Sequence, residues 1–65
     1  MSATVKRPAA RSAALEDARA RVDAAVGLLA HGVISGETAT LDAAVDGAIR
    51  LGEKALRDLE RAATL

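Results

Sequence analysis

One apolar stripe in the second half of the chain constrains its fold more than any other feature. Val45, Ile49, Gly52, Leu56, Leu59 and Ala63 recur at alternating four- and three-residue steps. That spacing keeps one seam of an α-helix turned toward one neighbour. Charged pairs support a solvated face on the same helix. Asp46 with Arg50 and Glu53 with Arg57 are acid-first i,i+4 pairs, and Lys54 with Asp58 has the reverse order. A second seam, Ala44, Ala48, Leu51, Ala55 and Ala62, lies beside the first and is mostly small. Small side chains let helix backbones approach closely, which suits an antiparallel hairpin and leaves the Leu/Ile stripe for a second chain.

A matching helix precedes it. Ser12 is a good N-cap, Glu16 and Asp17 lie near the positive end of the dipole, and Leu15, Val22, Val26 and Leu29 share one side with Ala18 and Ala25. Asp17 with Arg21 and Glu16 with Arg19 support the other side. Gly32 reads as the residue that closes this helix after His31, with Ser35-Gly36 as the turn element and Thr38 or Thr40 as the next cap. The expected organisation is a flexible basic tail over residues 1–11 and a hairpin over 12–65, with a helix over about 12–31, a loop over about 32–38 and a helix over about 39–63.

The fold class is therefore all-α: a two-helix antiparallel hairpin that assembles into a four-helix bundle dimer or docks on a larger protein. Leu15, Val22, Val26 and Leu29 are expected to form the facing side of the hairpin. Val45, Ile49, Gly52, Leu56 and Leu59 are expected to meet the second partner. Gly47 and Gly52 each cost about 1 kcal/mol relative to alanine inside a helix, and close approach at Gly52 would give a reason for it.

Length makes the need for a partner acute. A chain of 65 residues is in the range where one core is marginal, and this one has no Phe, Tyr or Trp to bury large area and no cysteine for a disulfide. About a quarter of it is alanine, which favours helix over strand. Association is the remaining remedy for a small domain.

Charge and motifs exclude several function classes. The formal net charge is zero, but three of the nine basic residues, Lys6, Arg7 and Arg11, fall in the first eleven positions. The rest of the chain carries nine acids against six bases, which argues against a helical surface that binds nucleic acid. The longest apolar stretch, Ala24 to Ile34, contains His31 and is about half the length of a membrane span. The N-terminus has no apolar run after its basic residues, so export is not expected and a cytoplasmic location is.

No catalytic chemistry is legible. His31 is the only histidine, and no serine or cysteine stands beside it in a nucleophile setting. It reads as a histidine favoured by a helix C-terminus. No Glu-x-x-His motif occurs, and Ser35-Gly36-Glu37-Thr38 lacks the glycines and lysine of a phosphate loop. No metal or cofactor is expected. The chain reads as a non-catalytic protein-protein interaction module, a regulatory or accessory subunit whose partner is itself or a larger protein.

A second reading comes from the short segment Thr4-Val5-Lys6 ahead of two helices, together with Ala44-Val45-Asp46-Gly47-Ala48-Ile49-Arg50-Leu51-Gly52-Glu53. This order resembles the ribbon-helix-helix antitoxins over about a third of the chain. The resemblance implies a DNA-binding repressor in which paired N-terminal strands read the major groove, with Lys6, Arg7 and Arg11 toward nucleic acid. Pro8 and the long first helix depart from that pattern.

Overall fold

The computed structural model describes the backbone of residues 2–65 and the side chains from residue 9 onward. Two helices, α1 (Ser2–Ser35) and α2 (Thr38–Thr64), pack along each other as a helical hairpin. Among the described residues there is no strand. The molecule is a rod of 55 × 15 × 10 Å.

The turn is shorter than the sequence suggests, two residues instead of about seven. Gly36 adopts φ 68°, the left-handed conformation that ends a helix without a Cβ penalty. Its N–H reaches the Val33 carbonyl at 3.3 Å. Ser35 completes the closure: its Oγ donates to the Gly32 carbonyl at 2.7 Å and accepts from the Glu37 N–H at 3.2 Å. One hydroxyl thereby satisfies an orphan carbonyl of α1 and an amide of the turn. Glu37, extended at φ −102° and ψ 127°, is the N-cap of α2 and makes no side-chain cap bond. The expected caps Thr38 and Thr40 lie inside the helix instead.

α1 therefore ends at Ser35 rather than near His31, and Gly32 is not its closing residue. Gly32 is a helix-interior glycine at a close approach. A Cβ placed on it would lie 2.9 Å from Ala44 Cβ and 3.2 Å from Leu41 Cα. The other end differs as well. The segment expected as a tail over residues 1–11 is helical backbone from Ser2 on, and Ser12 is interior. Ala3, Ala9 and Ala10 favour helix within it, against the hydrogen bond lost and the crowding of the preceding turn at Pro8. Because Arg21 stands beside Asp58 and Gly47 beside Leu28, the first ten or so residues of α1 project past the end of α2.

Small residues make the seam between the helices. The buried apolar residues are Ala14, Ala18, Ala44, Ala55 and Ala62, joined by buried Gly32 and half-buried Ala25, Ala48 and Leu51. Among the described residues no large side chain is fully buried. Along one flank runs an ionic network. Arg21 bonds the buried carboxylate of Asp58, Arg61 Nη2 lies 3.4 Å from Asp58 Oδ1, and the same nitrogen lies 3.4 Å from Asp17 Oδ2.

Candidate functional site

Both helices carry a second seven-residue pattern that the hairpin leaves open. On α2 it is the stripe Val45, Ile49, Gly52, Leu56 and Leu59, and its large side chains are all exposed. On α1 it is Leu15, Val22, Val26 and Leu29, which retain 38–60% of their surface. This corrects the expectation that these four form the facing side of the hairpin. Ala14, Ala18, Ala25 and Gly32 take that place, and where Gly32 meets Ala44 and Leu41 there is no room for even a methyl group on α1.

The two open stripes share one side of the molecule. At about 100° per residue, each stripe sits roughly 100° round from the alanine seam of its own helix, in the same rotational sense along the chain. The helices run in opposite directions, and an equal turn in each then points both stripes the same way. The result is one apolar face two helices wide, opposite the flank that holds Arg21, Asp58, Arg61 and Asp17. Val33 extends it on α1 and is 68% exposed. Sequence reasoning missed Val33 because Gly32 looked like a helix end, although it stands four residues after Leu29 and keeps the pattern.

The face has relief. Val26, Leu29, Ala30, Val33 and Ile34 line an open depression of about 450 Å³. The first four follow the i, i+3, i+4, i+7 arrangement of a hole that receives a knob from a packed helix. On α2 a Cβ at Gly52 would meet nothing within 4 Å, so this glycine leaves a notch between Ile49 and Leu56. The close approach expected at Gly52 therefore does not occur within the hairpin.

Charges edge the face without entering it, except at one point. Arg19 falls in the α1 stripe between Leu15 and Val22, its side chain 85% exposed and 3.9 Å from Asp23. Asp46, Glu53 and Glu60 repeat every seven residues along the outer rim of α2, and Arg50 lies 2.9 Å from Asp46.

The other predicted positions carry less. Arg11 is exposed on α1, and the side chains of Lys6 and Arg7 lie outside the described residues. The backbone that the ribbon reading would place in a strand belongs to the helix Ser2–Ser35. His31 is exposed. Among the described residues no cluster of His, Cys, Asp and Glu is arranged to hold a metal ion, and no helix is long and apolar enough to cross a membrane.

Neither a known protein family, nor a curated protein, nor a solved structure matches this chain. The chemistry of the face is the ground for a functional reading.

Proposed function

We propose that this protein is a small non-catalytic interaction module, a regulatory or accessory subunit that works by packing its apolar face against other helices. One observation carries this reading. The hairpin places mostly small residues on its internal seam and leaves most of its exposed large aliphatic side chains, at heptad spacing on both helices, together on one open side. Contiguous apolar surface of this kind marks a protein contact, whereas singly scattered exposed leucines do not.

The test is to place a charge in the face. Ile49→Asp or Leu56→Asp would bury an unpaired carboxylate on association, so each is expected to abolish complex formation and to lower helicity with it. Ala20→Asp, on an exposed position away from the face, is expected to leave association intact. Sedimentation and circular dichroism report both quantities. A face variant that associates as strongly as the parent chain would overturn the assignment.

A further inference from the structure

We propose that the occupant of the face is a second copy of this chain, seated so that α1 of each copy lies on α2 of the other. The proposal rests on the face being an interaction surface and adds what covers it. The stripes run about 27 Å along α1 and about 21 Å along α2, and two helices side by side give roughly 500 Å² per copy. Two copies would together bury about 1,000 Å², the size at which a specific interface begins.

Symmetry leaves two ways to stack such faces. With the two-fold axis parallel to the helices, α1 packs on α2 of the other copy and every residue stays at its own height. The register of the hairpin, with Leu28 beside Gly47 and Arg21 beside Asp58, then carries over to the contact between copies. With the axis across the helices, α1 packs on α1 and α2 on α2.

Shape and charge favour the first. In the first arrangement Ile49 of the second copy stands within a turn of the depression lined by Val26, Leu29, Ala30 and Val33. Val22 and Val26 of that copy stand level with the notch at Gly52. In the second arrangement, with the faces centred, the depression receives Arg19, and the Gly52 notch meets its own equivalent as a void. Arg19 has the complementary role in the first arrangement: it stands level with Glu60 of the other copy. The second arrangement instead sets Glu53 against Glu53 and Glu60 against Asp46.

Sedimentation of the intact chain tests the occupant, and the expected mass is that of two chains. The chain has no cysteine, so introduced thiols report the pairing. A mixture of Val22→Cys and Leu56→Cys chains is expected to oxidise to the mixed disulfide, and Gly52→Cys alone is expected not to link to itself. Gly52→Leu removes a helix glycine into open space, so it is expected to keep the chain helical while weakening the dimer at least tenfold. Arg19→Glu is expected to weaken it similarly, and Glu60→Arg in the same chain to restore it. A monomer at every concentration would overturn the second copy as occupant while leaving the face open to another protein. A dimer that links through Gly52→Cys would overturn the α1-on-α2 pairing. A dimer indifferent to Ile49→Asp would overturn the reading of the face itself.

Discussion

Arg21 of α1 and Asp58 of α2, 37 positions apart, form the one ion pair in which a nearly buried carboxylate ties the described helices together. The two partners are unequally placed. The Asp58 side chain is 7% exposed and that of Arg21 38%. Removing Arg21 leaves the carboxylate in the seam with only Arg61 at 3.4 Å, whereas removing Asp58 frees an arginine that can turn to water. Arg21→Ala is therefore expected to cost more than Asp58→Ala, about 2 kcal/mol against about 1 or less once solvent screening of the exposed arginine is counted. Asp58→Ala also extends the alanine seam, which works in its favour. Urea unfolding of the two variants at equal concentration checks the order, and a larger loss for Asp58→Ala would contradict this account.

Glycines on opposite sides of α1 should respond to alanine with opposite sign. Gly27 has nothing within 4 Å of an added Cβ, so Gly27→Ala is expected to stabilise by up to about 1 kcal/mol through helix propensity alone. At Gly32 the added methyl meets Ala44 Cβ at 2.9 Å and the α2 backbone at Leu41. Overpacking of that kind costs about 1–3 kcal/mol and outweighs the gain in propensity. Thermal melts of the two variants should move in opposite directions.

The turn offers a third pair. Ser35→Ala removes the hydroxyl that joins the Gly32 carbonyl to the Glu37 amide, and is expected to cost about 1 kcal/mol. Glu37 caps α2 without a side-chain bond, so Glu37→Ser or Glu37→Asp is expected to gain about 0.5–1 kcal/mol. If the Glu37 variants melt no higher than the parent chain, the N-cap assignment is wrong.

What the sequence made legible follows from side-chain size. The α2 stripe is spelled by Val, Ile and Leu, which have one sensible side on a helix, and its heptad spacing could be read directly. Alanine fits any face. Ala18 and Ala25 could thus be grouped with the Leu15 stripe, when in the hairpin they turn to the seam and the stripe turns outward. Gly32 was ambiguous for a similar reason, because glycine suits a helix end and a close approach equally, and only the position of Ala44 decides between them. The link between Arg21 and Asp58 had no local signal. Asp17 stands four residues before Arg21 and Lys54 four before Asp58, and the structure pairs neither of these; the local partner of Asp58 is Arg61, at i+3.

Among the described residues the buried apolar side chains are five alanine methyls, worth about 4 kcal/mol by transfer at about 0.8 kcal/mol each, the contribution of about two leucines. A hairpin held by so little is expected to gain most of its further stability when the exposed leucines and valines of the face are covered. If a second copy covers them, folding is linked to association by mass action, and each tenfold rise in protein concentration adds about 1.4 kcal/mol per dimer. The melting midpoint should then climb by several degrees between about 5 and about 500 µM chain, and Leu56→Asp should remove that climb along with much of the helicity. A midpoint that stays fixed over this range would mean that the alanine seam and its ion pairs suffice on their own, and that the face is not what keeps this chain folded.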